Sequence, residues 1–276
     1  MDSPGGRRAL PVGRHNAKVK LAASLARRKE RERHGLVLVE GERLVAQALA
    51  FGARFRFCLV DEARIAPQLL ERLHEAGAPL YAADPAVLAK AADTVSPQSV
   101  LGVAEAASEG AVDLDAAQWV VVADGLQDPG NLGTLIRVAT AVGVDGLLLS
   151  AGSVDPKHPK AVRASAGAYF RLPLSTGWEP ASLKAALSER GYRVVAADAR
   201  GEAELFDFRW DGRIALVVGS EAHGTSPPLA ADERVRIPMP GGGESLNAGV
   251  AAAIILYQAW HARRKSGIIS VNPLRH

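Results

Sequence analysis

Three segments in the C-terminal half of the chain decide its fold. They are Asn-Leu-Gly-Thr-Leu-Ile-Arg at residues 131–137, Val-Gly-Ser-Glu-Ala-His-Gly at 218–224, and Ile-Pro-Met-Pro at 237–240 with Ser-Leu-Asn at 245–247. Each segment lies where an apolar, strand-like run gives way to a glycine-rich loop or to the start of a helix. In a parallel α/β sheet, ligands bind outside the carboxyl ends of the strands. The three segments therefore predict one ligand site assembled from separate strand ends.

Around these segments, apolar runs of strand type alternate with runs of helical periodicity. The predicted strands lie near residues 119–123, 145–150, 171–174, 192–197, 213–219 and 234–237. The predicted helices lie near 131–142, 158–168, 180–190 and 245–264. This alternation predicts an α/β domain with a mostly parallel sheet. The last helix is apolar on almost every side, which predicts that it packs against the sheet and against a second subunit.

The N-terminal part of the chain predicts a second, smaller α/β unit. A helix is predicted over residues 16–33, with strands near 36–39, 55–60, 80–81 and 100–104 and helices near 41–51, 67–76 and from 84. The predicted organisation is a flexible arm (1–13), an N-terminal α/β domain (14–106), a linker (107–117), a C-terminal domain (118–265) and a tail (266–276).

Composition excludes several classes of protein. The single cysteine, Cys58, cannot form an internal disulfide, and it fits a reducing cytoplasm. The seven histidines show no metal-ligand spacing, so no structural metal is expected. The longest apolar run, residues 248–260, is far shorter than a membrane span. The N-terminus has no apolar core of a secretory signal. These features predict a cytoplasmic protein without metal or membrane contact.

Positive charge is concentrated at the N-terminus. The formal net charge is +3, but residues 1–35 contain ten Arg or Lys and three acidic residues, whereas residues 36–109 contain six basic and ten acidic residues. A basic patch of this kind suits a partner that presents phosphates. From charge alone, a solvated helix face or a disordered basic tail is an equal alternative.

The first segment carries the strongest candidate for chemistry. Asn131 is a good helix N-cap, and Arg137 shares a helix face with Gly133 and Thr134. Helical side chains lean toward the N-terminus, so the Arg137 guanidinium is aimed at the loop before the helix. The alternative is an ordinary surface arginine on a capped helix.

The other segments leave their roles open when only spacing is considered. Glu221, in a glycine-containing turn, either accepts backbone N–H groups or orients a ligand. Ser245 is a helix cap by position, and Asn247 is a polar residue at the helix start. Lys160 and Arg163, with Lys157, are spaced for phosphate contact, and a solvated basic turn is equally compatible.

In their order, the three segments resemble the signature motifs of the SpoU (TrmH-like) family of RNA ribose 2′-O-methyltransferases, in the SPOUT superfamily. The resemblance covers roughly residues 119 to 262. It implies S-adenosylmethionine as cofactor, bound in a deep trefoil knot, and a homodimer formed through the catalytic domain. Periodicity alone predicts an ordinary open sheet. One departure is Ala248-Gly249, where the family often has Val and Ser.

The resemblance also implies roles for individual residues. The implied catalytic residues are Arg137, Asn131, Ser245, Asn247 and Glu221. The implied cofactor-binding residues are Gly219, Ile237, Leu246, Ala197 and Met239. The N-terminal unit, through residues 16–20 and 38–41, resembles the RNA-binding domain that precedes many SpoU catalytic domains. The expected RNA contacts are Lys18, Lys20, Arg27, Arg28, Arg43, Lys160 and Arg163.

The implied reaction is displacement of a methyl group by a ribose 2′-oxygen. A guanidinium has a pKa above about 12 and is a poor base near neutrality. Arg137 is therefore predicted to act as a fixed cation that stabilises the developing alkoxide or orients a phosphate. Asn131 and Ser245 would position the ribose, and Asn247 would support the loop.

Ribosomal RNA is the expected substrate, with transfer RNA as an alternative. A second alternative is an RNA-binding protein with an inactive pocket, which the intact motif residues oppose. A Rossmann-type oxidoreductase is a third, and it is disfavoured because no Gly-x-Gly-x-x-Gly follows the first strand of either unit.

Overall fold

The structure, a computed structural model, describes residues 9–94, 96, 98–107, 112–241 and 246–268. The strands are β1 (Leu10–Pro11), β2 (Leu36–Glu40), β3 (Phe55–Val60), β4 (Leu80–Ala82), β5 (Val100–Glu105), β6 (Trp119–Asp124), β7 (Gly146–Ser150), β8 (Leu174–Trp178), β9 (Arg193–Ala197), β10 (Ala203–Glu204), β11 (Ile214–Gly219) and β12 (Glu233–Arg236). The helices are α1 (Ala17–Ser24), α2 (Arg28–His34), α3 (Glu42–Ala50), α4 (Pro67–Glu75), α5 (Pro85–Ala91), α6 (Pro129–Val142), α7 (Pro159–Ala164), α8 (Pro180–Glu189) and α9 (Ala248–Lys265). Within the described residues, no helix is long and apolar enough to cross a bilayer.

The chain forms two compact units. The first contains the described residues up to Ala107 together with Asp155–Arg171, and the second contains residues 112–154 and those from Leu172 onward. The predicted boundaries 14–106 and 118–265 remain a prediction. These boundaries do not include residues 155–171 in the N-terminal unit. In the structure these residues pack with that unit, although they lie in the middle of the C-terminal sequence.

The second unit contains a seven-stranded sheet in the order β10-β12-β9-β11-β6-β7-β8. Each of its strand pairs is parallel. The carboxyl ends of these strands consequently lie at one edge of the sheet. The predicted α/β fold with a mostly parallel sheet is confirmed.

The first unit is a smaller sheet in the order β1-β4-β3-β5-β2, in which β5 runs antiparallel to both neighbours. Strand side chains alternate between faces. Leu36, Leu38 and their neighbours on β3 and β5 pack against α1 and α5 in one apolar cluster. Helix α3 packs on β2 and β5 without joining that cluster, so it covers the opposite face. Cys58 is buried in this sheet, and burial raises the pKa of its thiol.

The prediction of a single basic helix over residues 16–33 is wrong. The chain turns after Ser24, and α1 and α2 are separate. Arg31 is buried in the corner between them. Its Nη1 atom donates to the carbonyl oxygens of Leu25 and Ala26 at 2.9 and 2.8 Å. Its Nε and Nη2 atoms donate to Oδ2 of Asp155 at 2.9 and 2.7 Å. This ion pair fastens residues 155–171 to the first unit.

Replacing Arg31 by methionine is expected to lower the unfolding free energy of the first unit by about 3–5 kcal/mol, because the Asp155 carboxylate would stay buried without a cation. Native-state hydrogen exchange of the β2 and α7 amides measures this loss. Arg28→Met is the matched control, since Arg28 pairs with Glu32 at the surface, and it should cost less than about 1 kcal/mol. Equal losses in the two variants would contradict the role given to the buried pair.

The described parts of the predicted arm and of the predicted linker belong to the two units. The predicted arm ends in β1, whose Leu10 and Pro11 pair with Tyr81 and Ala82, while residues 1–8 lie outside the described residues. The described part of the predicted linker, 112–117, packs on the second unit. Its Leu114 and Ala117 join the core cluster there, and their carbonyl oxygens accept hydrogen bonds from Tyr192 and Arg213.

Several predicted element boundaries are also corrected. The strand expected at 171–174 lies at Leu174–Trp178. The helix expected at 158–168 is the shorter α7 followed by a 3-10 turn at Ala168–Phe170. The long C-terminal helix begins at Ala248 rather than near Ser245, and Ser245 lies outside the described residues.

The C-terminal helix α9 is not buried on all sides within one chain. Its buried face packs on α6, whereas Val250, Ile254 and Tyr257 are 48%, 37% and 62% exposed. Ile254 and Tyr257, with Phe206, Ala253 and Gln258, line an apolar groove of about 380 Å³. The groove is called the α9 groove below.

Candidate active site

The strand order reverses between β11 and β6. From β6 the sheet extends through β7 and β8 on one side, and β11, β9 and β12 lie on the other. Such a reversal leaves a crevice at the carboxyl edge, which is where ligands bind in open α/β sheets. The chain leaves these strands after Asp124, Gly219, Ala197 and Arg236, so all three sequence motifs contribute to one edge.

A side-chain hydrogen bond joins the first motif to the second. Asn131 lies in the first turn of α6, where Asp128, and not Asn131 as predicted, caps the helix by accepting the Asn131 backbone N–H at 2.8 Å. The Asn131 side chain is consequently not used for capping. Its Nδ2 atom donates a short hydrogen bond to Oε1 of Glu221, which is exposed in the turn after β11. Glu221 therefore fixes the orientation of the Asn131 amide.

The third motif meets the first at Gly249. A Cβ atom built on Gly249 would lie 3.3 Å from Oδ1 of Asn131, Oδ1 of Asn247 and Cβ of Thr134. Glycine here allows the start of α9 to approach α6 closely. The departure from the family pattern at Ala248-Gly249 thus coincides with the position where the two motifs touch.

Asn247, and not Ser245, caps α9. Its Oδ1 atom accepts the backbone N–H groups of Gly249 and Val250 at 3.0 and 3.2 Å. Because the amide oxygen is used for the cap, the remaining Nδ2 group is available as a donor. Asn247 is exposed, so this donor is accessible from solvent.

Arg137 lies on the exposed side of α6. It follows the buried Gly133 by four residues and the half-buried Thr134 by three. Among the residues that the structure describes, none forms a hydrogen bond or an ion pair with Arg137. Arg137 is thus a cation that has no counter-ion within the described part of the chain, and it lies on the helix whose first turn contains Asn131.

The turn of the second motif has a geometry that requires glycine. A Cβ atom on Gly219 would lie 2.2 Å from the carbonyl carbon of Gly224. Ser220 and Gly224 exchange two backbone hydrogen bonds of 3.1 and 2.8 Å, and Gly224 has a φ of +68°. Any side chain at Gly219 would push the turn, and Glu221 within it, away from Asn131. His223 is exposed in this turn, with its backbone N–H on the Ser220 hydroxyl.

Four of the five residues assigned to the cofactor lie at the carboxyl ends of three adjacent strands or directly after them. Ala197 ends β9, Gly219 ends β11, and Ile237 and Met239 follow β12. Met239 is 38% exposed, and Ile237 and Leu246 are half-buried. Incompletely covered apolar side chains beside a backbone edge fit an adenosine, which needs an apolar surface for its ring and backbone groups for its polar atoms. These residues are thus compatible with S-adenosylmethionine.

The predicted RNA contacts do not form one patch. Lys20 lies on α1 and Arg43 on α3, which cover opposite faces of the smaller sheet. Lys18 is half-buried, with its ammonium 4.4 Å from the Tyr81 ring centre. Arg27 is exposed at the start of α2, and it lies next to Arg28.

Lys160 and Arg163 lie on α7, within the first unit. Arg163 forms a partly exposed ion pair with Asp93 at 3.6 Å. His158 caps α7 by accepting the Lys160 N–H at Nδ1. Burial and the nearby Arg31 lower the pKa of His158, so this capping histidine is neutral near pH 7. Among the described residues, no group of three or more His, Cys, Asp or Glu is placed to hold a metal ion.

Asp124 is the main site residue that the sequence analysis missed. It ends β6 at 3% exposure and accepts hydrogen bonds from Ser150 and from the Ser226 backbone. An acidic residue directly after a fully apolar strand was a usable signal, because a buried carboxylate needs dedicated donors. Thr134 and Gly249 were also missed, and no local pattern marked their contact.

The chain matches two family profiles. One, described as the SpoU rRNA Methylase family, covers residues 118–257. The other, described as an MRM3-like substrate binding domain, covers residues 16–102.

Curated relatives and a solved structure agree with these profiles. The 23S rRNA (guanosine(2553)-2'-O)-methyltransferase RlmP of Bacillus subtilis is 34% identical over 245 residues, covering 88% of this chain and 95% of RlmP. The 23S rRNA (uridine(2479)-2'-O)-methyltransferase of Streptomyces viridochromogenes is 32% identical over 265 residues, covering 91% of each chain. The crystal structure of the SpoU methyltransferase AviRb from that organism, in complex with AdoMet, superimposes with a TM-score of 0.80 at 30% identity, covering 91% of this chain and 99% of AviRb.

The fold and the site therefore define an RNA methyltransferase. The chain belongs to the SpoU rRNA methylase family, with an N-terminal substrate-binding domain. The family resemblance, the enzyme class and the choice of S-adenosylmethionine are confirmed.

Proposed function

We propose that this protein transfers a methyl group from S-adenosylmethionine to a ribose 2′-hydroxyl of 23S-type ribosomal RNA. One observation carries the proposal: Asn131, Glu221 and Asn247, from three separate motifs, converge at the start of α6, the helix that also bears Arg137. A degenerate RNA-binding protein would have no need of such a constellation. The names of RlmP and of the Streptomyces relative favour 23S rRNA over transfer RNA.

Each polar residue has a distinct role in the proposed reaction. Bound S-adenosylmethionine would supply a methyl group on a positively charged sulfur. Transfer of the methyl carbon to the ribose 2′-oxygen would break the C–S bond, leave S-adenosylhomocysteine and release the hydroxyl proton. Arg137 stabilises the negative charge that develops on that oxygen or on the adjacent phosphate. Asn131, held by Glu221, and Asn247, held by its capping bonds, present fixed amide groups to the ribose. Ser245, which lies outside the described residues, is also proposed to contact the ribose.

A knotted cofactor site is part of the proposal. The chain passes from β11 to β12 on the far side of β9 and then reaches α9, which packs back on α6. This path supports a deep trefoil knot formed by the second and third motifs. The knot would hold Gly219, Ile237 and Leu246 close together, with Ala197 and Met239 at the margin of the cofactor site.

RNA contacts are proposed for both faces of the N-terminal unit. Arg27 and Lys20 are exposed, and neither has a side-chain hydrogen bond or ion pair with any described residue. Phosphate contacts of this type add affinity and salt dependence, with little base discrimination. Arg28, Arg43, Lys18, Lys160 and Arg163 complete the proposed set. The single buried thiol of Cys58 supports a cytoplasmic setting.

A homodimer is proposed to cover the α9 groove. Monomeric proteins seldom expose clustered apolar side chains of this size without a function. Ile254 and Tyr257, with Phe206, would meet the same surface of a second copy in a two-fold interface.

Replacing Tyr257 by glutamate is expected to convert the dimer to a monomer at micromolar concentration, because a charge in an apolar interface core costs several kcal/mol. Sedimentation velocity measures the change. Replacing the exposed Ser182 on α8 by glutamate adds the same charge outside the α9 groove, and this control should leave the dimer intact. A wild-type protein that sediments as a monomer would overturn the dimer.

The experiment that tests the proposed function is methyl transfer in vitro. The protein is incubated with radiolabelled S-adenosylmethionine and either unmodified 23S rRNA or bulk tRNA, and ribose methylation is mapped by resistance to alkaline cleavage. Label in one 23S rRNA nucleotide is the expected result. Label confined to tRNA would support the alternative substrate, and no label in either RNA would overturn the proposal.

A further inference from the structure

Asp124 is a buried carboxylate with no basic partner among the residues that the structure describes. It is the last residue of β6 and lies beside the strand-order reversal. Among the described residues, no Lys, Arg or His forms an ion pair with it. Burying such a charge is unfavourable unless hydrogen bonds replace water. Its hydrogen bonds are therefore informative about its function.

The two carboxylate oxygens have different partners. Oδ1 accepts the Ser150 hydroxyl at 2.8 Å, and that hydroxyl oxygen itself accepts the Gly125 N–H at 3.0 Å. Oδ2 accepts the backbone N–H of Ser226 at 2.6 Å. The first interaction joins the carboxyl ends of β6 and β7. The second crosses to Ser226, at the end of the loop after β11 that contains the turn of the second motif.

Both ends of the loop after β11, residues 219–226, are held at Asp124. The loop leaves β11 at Gly219, which pairs with Asp124 in the sheet. It ends at Ser226, whose N–H is bound by the Asp124 carboxylate. Between these two points lies Glu221, which holds the Asn131 amide. The hydroxyl of Ser226 is buried and has no hydrogen-bond partner among the described residues, so the backbone N–H is the group that is held.

We propose that Asp124 is a positioning residue for methyl transfer: its carboxylate clamps the second-motif turn at Ser226 and thereby sets Glu221 against Asn131. This inference rests on the proposed function. Asp124 takes no part in proton transfer, because both of its oxygens are buried and already accept hydrogen bonds. It acts on the reaction only through the turn.

Replacing Ser226 by proline tests the clamp without changing the carboxylate. Proline removes the N–H donor, and the φ of −65° at Ser226 is the value that proline prefers. Ser226→Ala keeps the N–H and is the matched comparison. We expect kcat of Ser226→Pro to be about tenfold or more below that of Ser226→Ala, because a buried carboxylate oxygen loses its donor. Equal kcat values in two folded variants would overturn the proposal.

Two substitutions of Asp124 separate positioning from proton transfer. In Asp124→Asn, the amide oxygen can still accept the Ser226 N–H, while the amide nitrogen can donate to the Ser150 hydroxyl. Asp124→Ala removes both bonds. Asp124→Asn should exceed Asp124→Ala in kcat by about tenfold, with similar KM for RNA. An asparagine variant as inactive as the alanine variant, with its fold intact, would contradict positioning and indicate a need for the charge.

Hydrogen exchange tests the hydrogen bond between Asp124 and Ser226 independently of catalysis. The Ser226 amide should exchange slowly in the wild-type protein, and at least about tenfold faster in Asp124→Ala. This readout does not require RNA methylation. If the wild-type protein fails to methylate RNA but the Ser226 amide is protected as expected, the proposed function fails and the clamp stands. Unprotected exchange in the wild-type protein would overturn the clamp itself.

Discussion

Replacing Arg137 by lysine is expected to lower kcat by about a hundredfold or more, with a small effect on S-adenosylmethionine affinity. A lysine keeps the charge but loses the planar fork that can contact two oxygens at once. Arg137 is exposed and makes no internal hydrogen bond or ion pair among the described residues, so the substitution should leave stability nearly unchanged. Single-turnover transfer of labelled methyl to RNA measures the rate, and calorimetric titration measures cofactor binding.

The control for this prediction is Arg56→Lys. Arg56 is exposed on β3 of the first unit and has no side-chain hydrogen bond or ion pair with any described residue. The Arg56→Lys variant should keep the wild-type turnover. That result would show that replacing a surface guanidinium is harmless in itself. Near-normal single-turnover rates for Arg137→Lys would refute the assigned role of Arg137.

Replacing Asn131 by aspartate is expected to have a similarly large effect. The Asn131 amide donates to Glu221, so the substitution places two carboxylates within hydrogen-bonding distance. Like charges at this distance repel, and the turn of the second motif should move away from α6. We expect kcat to fall by about a hundredfold. The rate at saturating RNA and cofactor measures it.

A second substitution restores the hydrogen bond with its direction reversed. In Asn131→Asp combined with Glu221→Gln, the glutamine donates and the aspartate accepts. The double variant should regain at least about tenfold of the lost rate, since the coupling belongs to the pair. If Glu221 instead accepted the ribose proton, Glu221→Gln alone would be inactive and the pair would show no recovery. That result would overturn the orienting role of Glu221.

The meeting of the three motifs was predictable from the sequence. Parallel strands have their carboxyl ends at one edge, so loops after β6, β11 and β12 had to lie near one another. The strands that carry them were correctly placed to within a residue or two, because continuous apolar runs such as residues 214–218 bury both faces of the sheet. The α/β class followed from these runs, whereas the roles of the motif residues rested on the family resemblance.

Helix starts were harder to predict. Asn131, Asp128 and Asn247 are all good caps by composition, and only the backbone path decides which side chain reaches the free N–H groups. Asp128 caps α6, so the Asn131 side-chain amide is not needed for the cap and donates a hydrogen bond to Glu221. The function of a polar side chain at a helix start depends on a neighbour that the local sequence does not contain.

Buried charges were the least predictable feature. Arg31 lies in a run of alternating basic and acidic residues that is typical of a solvated face, yet its partner Asp155 is 124 residues away. A pattern within one helix cannot indicate such a pair. The same holds for Asp124 and Ser226, which are 102 residues apart.

Residues 155–171 constrain how this protein can be divided or recombined. A chimera that takes its first hundred residues from a relative would lose Arg31 as the partner of Asp155. This would happen even though the junction falls between two recognised domains. Grafts should therefore carry Arg31 and Asp155 from the same parent. Exchange of substrate specificity among such enzymes would then require two separate stretches of the gene to be exchanged together.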